Sequence, residues 1–304
     1  MNYYSMFLSD VDGTLVGNDF HLHDDVIQAA KDYEASGGRL ILCTGRSVEA
    51  LEEYSRKLNL KFPAVVYNGA GIYDFQRKRL IWKKPLGKDI LHDIQFIYEH
   101  LPEICIQIFT EKGIYRMRSN WMIENHGVKE EMGKEIFSAG QAQGDILKLS
   151  FTANHRTILE KCRNLPLWKG RRYEYSSKHF TEVTSEQTGK HVAAAHLMEV
   201  LGAKKEKIFA AGNGMNDLSM LKMGHCSFAP KDAARQVLEI SNILIDSPAS
   251  CGMKQAFRLA DQYNLQISKE RRNFNEETNK ADGFMRFRNC DIHTCGIHCS
   301  GIYE

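Results

Sequence analysis

The amino-acid sequence predicts an α/β fold: a parallel sheet core interrupted by an inserted α+β unit. Three observations carry that expectation. Short apolar runs alternate with helix-spaced amphipathic segments toward both ends of the chain, the pattern of a parallel sheet whose two faces are covered by helices. Glycines and polar residues follow each apolar run, where open α/β sheets bind ligands at the carboxyl ends of their strands. Between about residues 84 and 187 the rhythm changes to hairpins followed by isolated helices, which suggests an antiparallel insertion.

Taken in order, Tyr3 to Leu8 reads as the first strand and ends at Asp10-Val11-Asp12-Gly13-Thr14. Asp24 caps a helix to about Ala35, with Val26, Ile27, Ala30 and Tyr33 on one face, and Gly37-Gly38 ends it. Arg39 to Cys43 is a continuously apolar strand that stops at Thr44-Gly45-Arg46-Ser47, and a helix follows to about Leu58. Ala64 to Tyr67 is a third strand, ending in Asn68-Gly69-Ala70-Gly71. In the insertion, 89–101 has helical spacing, 104–109 and 113–118 form a hairpin, 146–152 is a strand, 155–162 a helix, and 172–176 and 180–184 are strands, while 127–145 carries no clear period. Alternation resumes with a helix from His191 to Leu201, a strand from Lys207 to Ala211 ending in Gly212-Asn213-Gly214-Met215-Asn216-Asp217, and further elements to a helix over about 252–263. The expected domains are therefore a discontinuous core, 1–83 with 188–265, an insert over 84–187, and a polar tail from 266 that reads as poorly ordered.

Composition narrows the function without naming it. A chain of 304 residues with 43% hydrophobic and 26% charged residues is ordinary for a soluble globular protein. Lys and Arg number 40 against 38 Asp and Glu, so no overall basic excess points to nucleic acid or an anionic membrane. No stretch approaches transmembrane length and the N-terminus lacks a signal-peptide pattern, so a cytoplasmic location is expected. Cys43, Cys105, Cys162, Cys226 and Cys251 sit mostly in apolar surroundings and read as reduced core residues.

The chemistry gathers at four places. In an extended backbone residues i and i+2 point to one side, so Asp10 and Asp12 are expected to face one pocket. Like charges that close need a neutralising cation, and Mg²⁺ takes one or two carboxylates plus water and phosphate. Asp10, Asp217 and Asn213 offer hard oxygen ligands. Thr44 offers a hydroxyl, the amides near Gly45 lie at a helix N-terminus that favours anions, and Lys190 offers a positive charge. One carboxylate is then available as a nucleophile and another as acid and base, which is a phosphoryl-transfer set. Each residue has a plainer reading: Thr44 and Asp217 as helix caps, Lys190 as a solvated side chain. Lys190 at a helix start, unfavourable to the dipole, favours the functional reading. Tyr115, Trp121 and Tyr173 in the insert read as packing residues.

These motifs resemble, in order and spacing, those of the haloacid dehalogenase (HAD) superfamily, in particular its Cof-type phosphatases with a C2-type cap. The D-x-D-G-T motif stands as Asp10-Val11-Asp12-Gly13-Thr14, and the second as Leu42-Cys43-Thr44-Gly45-Arg46. Asn-Gly-Ala after the third strand stands as Asn68-Gly69-Ala70, the motif lysine as Lys190, and the G-D-G-x-N-D motif as Gly212-Asn213-Gly214-Met215-Asn216-Asp217. The resemblance covers about residues 3 to 263. It implies a Rossmann-like core and a cap that closes over the site. It implies Mg²⁺-dependent hydrolysis of a small phosphorylated metabolite, with Asp10 as nucleophile forming an aspartyl-phosphate and Asp12 as acid and base. The metal would be held by Asp10, the Asp12 carbonyl and the fourth motif, Asn213 and Asp217 included. Thr44, Gly45, Lys190 and Asn216 would bind the phosphoryl group, and Arg46 and Asn68 would contact substrate, cap or backbone.

The fourth motif departs from the pattern, with Asn213 where an aspartate is usual. The expectation is weaker Mg²⁺ binding or more load on Asp217. Two other readings compete: a phosphosugar mutase, because eukaryotic phosphomannomutases are similar in the D-V-D-G-T-L start and the cap, and a binding protein without turnover. No nucleic-acid or membrane partner is expected, and the chain is expected to be a monomer or homodimer. In the tail, Cys290, His293, Cys295, His298 and Cys299 have zinc-ligand chemistry but are packed too tightly for the usual spaced pairs, so an appended tail is the expectation.

Overall fold

The computed structural model describes residues 5–126, 128–203 and 207–280. The chain divides into two compact units, residues 1–265 and 266–304. The first is built from β1 (Met6–Ser9), α1 (Asp24–Ala35), β2 (Arg39–Leu42), α2 (Val48–Leu58), β3 (Ala64–Val66), β4 (Gly71–Asp74) and β5 (Arg79–Lys83). There follow α3 (Ile90–His100), β6 (Cys105–Thr110), β7 (Gly113–Met117), α4 (Trp121–His126), β8 (Lys134–Glu135), β9 (Ile146–Thr152), α5 (Arg156–Arg163), β10 (Arg171–Tyr175) and β11 (Phe180–Ser185). The last group is α6 (Lys190–Val200), β12 (Ile208–Ala211), α7 (Leu218–Leu221), β13 (Cys226–Pro230), α8 (Arg235–Ile240), β14 (Ile243–Ile245) and the first half of α9 (Gly252–Lys280).

The first sheet has five strands in the order β14-β13-β12-β1-β2, every pair parallel. β1 lies in the middle because it is apolar on both faces. Phe7 packs with α1 and α9 residues such as Tyr33 and Phe257, while Met6 and Leu8 pack with Ala193 and Leu197 of α6. The Phe7 ring stacks on Phe228 at 5.7 Å and on Phe209 at 6.0 Å, and meets Phe257 at 4.8 Å and the edge of Tyr33 at 5.8 Å. Strands buried on both sides read as unbroken apolar runs, which is why this part of the fold is legible in the sequence.

A second sheet has six strands in the order β10-β11-β9-β6-β7-β8, antiparallel except for the β7–β8 pair. It lies in the chain between β5 and α6. One face carries Ile106, Ile108, Leu149, Phe151 and Val183 against Ile90, Ile94 and Ile97 of α3 and Leu159 of α5. The other face carries Gln107, Lys148, Ser150 and Glu182, a polar surface on strands that read as half apolar. Tyr115 and Tyr173 join the apolar cluster of this sheet, whereas Trp121 is exposed.

Three expectations need correction. The strands β4 and β5 were not foreseen; with β3 they form an antiparallel sheet, and a bridge between Cys43 and Val65 attaches it beside β2. Their stretch alternates poorly because Gly71, the Phe75–Lys78 turn and a bulge at Ile72/Tyr73 interrupt it. The span 127–145 is not featureless: it holds short 3₁₀ turns at Lys129–Glu131 and Ala139–Gln141 and strand β8. The last helix does not stop near Tyr263 but runs to Lys280, into the stretch expected to be poorly ordered. A polar stretch can still be helical, because Glu, Lys, Arg and Gln are good helix formers. The Cys290 to Cys299 cluster lies outside the described residues. Cys43, Cys105 and Cys162 are buried thiols. Among the described residues, no helix is long and apolar enough to cross a membrane.

Removing the ring at the centre of the first sheet leaves a cavity surrounded by four aromatic side chains. Phe7→Ala is expected to lower unfolding stability by about 3–5 kcal/mol, read from denaturant unfolding.

Candidate active site

The carboxyl ends of β1 and β12 and the start of α6 converge on one buried ion cluster. β1 ends at Ser9, and the Asp10 amide continues its ladder by donating to the Ala211 carbonyl at 2.9 Å. Lys190, the first residue of α6, is 2% exposed, and its Nζ donates to Asp10 Oδ1 at 2.5 Å and to Asp217 Oδ1 at 2.7 Å. Asp217 is held in turn by the Asn213 and Gly214 backbone amides, which donate to its Oδ2 at 3.0 and 2.9 Å. A cation at a helix N-terminus opposes the dipole; here two buried carboxylates offset it. Burial alone would lower the Lys190 pKa, but Asp10 and Asp217 hold it above the usual lysine value.

Two glycines allow this convergence. Gly69, at φ +87°, leaves no room for a side chain because a Cβ there would meet the Gly189 carbonyl oxygen at 2.1 Å. The loop after β3 thus lies directly on the residue before Lys190. Gly13, at φ +77°, does the same for the fourth motif, with the Asn213 side-chain nitrogen 2.1 Å from where its Cβ would be.

Two carboxylates meet one ammonium. Burial pushes the Asp10 carboxyl up to about 7, with Asp217 adding to the rise, Lys190 opposing it and Asp12 adding a little more. The Thr14 hydroxyl lies 3.3 Å from Asp10 Oδ2 and 3.2 Å from Asn213 Oδ1. One hydroxyl hydrogen serves one of these oxygens well, so the pair is short of positive partners. Among the described residues no group of three or more His, Cys, Asp or Glu side chains is arranged to hold a metal ion. The cluster instead sets Asp10 beside an amide oxygen.

Asp12 has a different partner. Arg46 grips it in a two-point fork, Nε to Oδ2 at 2.8 Å and NH2 to Oδ1 at 2.6 Å. The guanidinium is sandwiched 5.1 Å from the Phe20 ring and 4.9 Å from Tyr54, and donates to the Ala50 carbonyl at 3.2 Å. A planar fork on a carboxylate is the geometry arginine provides and lysine does not. Arg46 was expected to contact substrate, cap or backbone; its Nε and NH2 are taken by Asp12, and its NH1 reaches the Ala50 backbone. Thr44 is fully buried and its Oγ1 accepts the Arg46 amide at 3.1 Å, so it braces this turn.

The remaining candidates border the second sheet. Asn68 takes a left-handed φ of 54°, accepts from Asn216 Nδ2 at 3.3 Å, and donates through Nδ2 to Glu182. The Gly45 carbonyl accepts from Lys148 Nζ at 2.6 Å, and Lys148 pairs with Glu182 at 2.7 Å over the Phe109 ring. Glu131 accepts the Ser47 amide at 2.6 Å at the start of α2. A cavity of about 40 Å³ lies beside Lys190, lined among others by Asn68, Arg172, Glu174, His191 and Asn216.

The structure therefore brings together Asp10, Lys190, Asp217, Asn213 and Thr14, and separately Asp12, Arg46 and Thr44, while Asn68, Asn216 and Gly45 meet the second sheet. Glu131, Lys148, Arg172, Glu174 and Glu182 were not foreseen, and Thr14 was read only as a hydroxyl of the first motif's turn. Lys148 and Glu182 had a signal: each interrupts an otherwise apolar or β-branched strand at the face that α3 and α5 do not cover.

With this geometry in view, similarity to known proteins carries weight. A sequence model of haloacid dehalogenase-like hydrolases matches residues 7–257. The chain belongs to that family. Within this HAD-like hydrolase family it is 24% identical over 269 residues to YxeH of Bacillus subtilis, covering 83% of this chain and 97% of YxeH. It is 21% identical over 256 residues to the B. subtilis 5-amino-6-(5-phospho-D-ribitylamino)uracil phosphatase YitU, covering 77% of this chain and 88% of YitU. A haloacid dehalogenase-like hydrolase from Bacteroides thetaiotaomicron superposes with a TM-score of 0.76 at 18% identity, covering 84% of this chain and 98% of the other.

The raised Asp10 carboxyl makes the metal-free protein pH-sensitive in a defined direction. The folded chain holds this proton between its ordinary value of 3.8 and about 7, so ionising Asp10 removes stability as pH rises through that window. Asp10→Asn is expected to raise the melting temperature of metal-free protein more near about pH 8 than near about pH 5. The difference should be on the order of 2 kcal/mol, read from paired thermal melts in chelator.

Proposed function

We propose that this hydrolase removes phosphate from small phosphorylated metabolites, with Asp10 as the nucleophile. The observation that carries the reading is the Lys190 ammonium bridging Asp10 and Asp217 at the carboxyl edge of a parallel sheet. It leaves a buried carboxylate, fixed in direction, beside a positive charge suited to a phosphoryl oxygen. Asp10 attacks phosphorus and the ester bond to the leaving oxygen breaks, giving an aspartyl-phosphate. Asp12, aimed by the Arg46 fork, protonates that oxygen, then takes a proton from the water that hydrolyses the intermediate. Lys190 stays charged throughout and stabilises the phosphoryl oxygens. The contacts of Glu131 with Ser47 and of Lys148 with Gly45 fit an insert that acts as a cap, excluding bulk water.

HAD phosphatases generally use a divalent metal, and the residues here fit Mg²⁺. The oxygens of Asp10 and Asn213 crowd one hydroxyl, and the cluster carries more negative than positive charge. Asp10 and Asn213 would be the side-chain ligands, with Asp12 lending its carbonyl; bound there, the cation would offset charge on the transferring phosphoryl group. Asp217 already accepts from Lys190 and from two backbone amides, so it stands better as the anchor of Lys190 than as a replacement ligand.

The deciding experiment is phosphate release over a panel of phosphomonoesters with Mg²⁺, wild type beside Asp10→Asn. Wild-type release on at least one ester, reduced about 10³-fold or more in the variant, is expected. Equal release by both proteins, or none by either, would sink the reading. Asn213→Asp is expected to tighten Mg²⁺ binding about tenfold, measured by calorimetry without substrate; unchanged or weaker binding removes Asn213 from the ligand set.

A further inference from the structure

Phe20 sits where its backbone and its surroundings both disfavour it. Its φ of 56° is left-handed, a conformation that a bulky side chain adopts at a cost and that glycine or asparagine adopts more easily. The turn that places it is closed by the Phe20 amide donating to the Gly17 carbonyl at 3.0 Å, which asks nothing of the side chain. The ring is half exposed, so burial offsets little of that cost. Nor does the ring line the cavity beside Lys190. What it meets is the Arg46 guanidinium, 5.1 Å from the ring centre.

Tyr54 approaches the same guanidinium from α2. It is buried on the inner face of that helix with Leu51 and Leu58, and its ring centre lies 4.9 Å from Arg46. Its hydroxyl donates to the Phe20 carbonyl at 2.8 Å. That bond ties the loop to α2 through a backbone oxygen, which any residue at position 20 would supply. The tie therefore accounts for the Tyr54 hydroxyl but not for a phenyl ring at Phe20. The same helix offers the Ala50 carbonyl to Arg46 NH1. Two rings and a carbonyl thus converge on one side chain, whose Nε and NH2 hold Asp12.

Such holding matters because the ion pair is not buried as a whole. The Arg46 side chain is 7% exposed, but that of Asp12 is 44% exposed. Ion pairs open to water are weak, and ordering their long side chains opposes them. An aromatic face attracts a guanidinium, more so where water is excluded, and crowding by rings limits the rotamers open to it. Asp12 accepts from Arg46 at both oxygens, so its direction follows that of the guanidinium.

We propose that Phe20 and Tyr54 are positioning residues: they fix the Arg46 guanidinium, and through it the direction in which the Asp12 carboxyl meets the leaving oxygen. The role of Asp12 rests on the phosphatase reading; the hold on Arg46 does not, and the two are tested separately. The hold is read by NMR on protein carrying isotope-labelled arginine, from the rate at which the Arg46 Nε proton exchanges with water. In Phe20→Gly, whose backbone suits the left-handed turn, that rate is expected to rise about tenfold, while Phe20→Tyr stays near wild type. Should the glycine variant fail to fold, Phe20→Asn serves with the same expected direction. A rate unchanged in Phe20→Gly, or raised equally in Phe20→Tyr, overturns the proposal.

The consequence for chemistry is read from kcat/KM, which reports the steps up to formation of the aspartyl-phosphate. The leaving group of p-nitrophenyl phosphate departs without a proton, whereas that of an alkyl ester needs one. Phe20→Gly is expected to lower kcat/KM about tenfold for the alkyl ester that wild type hydrolyses fastest and less than about twofold for p-nitrophenyl phosphate, with Phe20→Tyr restoring the alkyl ester. A merely structural role would lower both esters equally; that result, or no loss on either, sinks the proposal. If the exchange rate rises as expected and wild type releases no phosphate from any ester, the phosphatase reading fails while the hold on Arg46 stands.

Discussion

One ammonium holds this site together. Lys190 is removed from water by the β1 and β12 ends and by the loop after β3, a placement that costs several kcal/mol unless its charge is met. Asp10 and Asp217 meet it, from the turns that follow β1 and β12, two strands far apart in sequence and adjacent in the sheet. Each of the three groups is satisfied only when the others are present. Burial is the main reason that the Asp10 carboxyl is raised; the second carboxylate of the lock, Asp217, adds to the rise and Lys190 opposes it.

The two carboxylates of the first motif begin as equivalents in the sequence and become unlike in the fold. Asp10 is buried and faces Lys190; Asp12 is part-exposed and faces Arg46. Two oxygen acids with different neighbours can take different parts in one reaction, since environment rather than residue type sets when each gives up a proton. The Arg46 guanidinium that holds Asp12 also lies within cation–π distance of the Phe20 and Tyr54 rings.

Much of the core was legible because its signals are local. Unbroken apolar runs at Phe7 and Ile41 mark strands covered on both faces, and the motifs after them lie at the sheet edge where a chain of this class binds ligands. The site was only partly legible. Asp10, Lys190 and Asp217 could be gathered by topology, but nothing in the spacing says that Arg46 turns to Asp12 or that Asp217 is saturated by its own turn. Those facts depend on side-chain direction. β4 and β5 were hidden by a bulge and a turn, and α9 by polarity mistaken for lack of structure. The insert residues were hidden for a deeper reason: Glu131, Lys148 and Glu182 acquire their meaning only from core atoms more than eighty residues away, and no periodicity encodes such meetings.

The turn from Gly45 to Ser47 joins two functions that are usually separate. Its outer atoms, the Gly45 carbonyl and the Ser47 amide, are fastened to the second sheet's unit through Lys148 and Glu131, and the residue between them carries the fork on Asp12. Three consecutive residues thus tie the second sheet to the Asp12 carboxylate, so a movement of that sheet away from the turn would release the anchors on both sides of the residue that carries the fork.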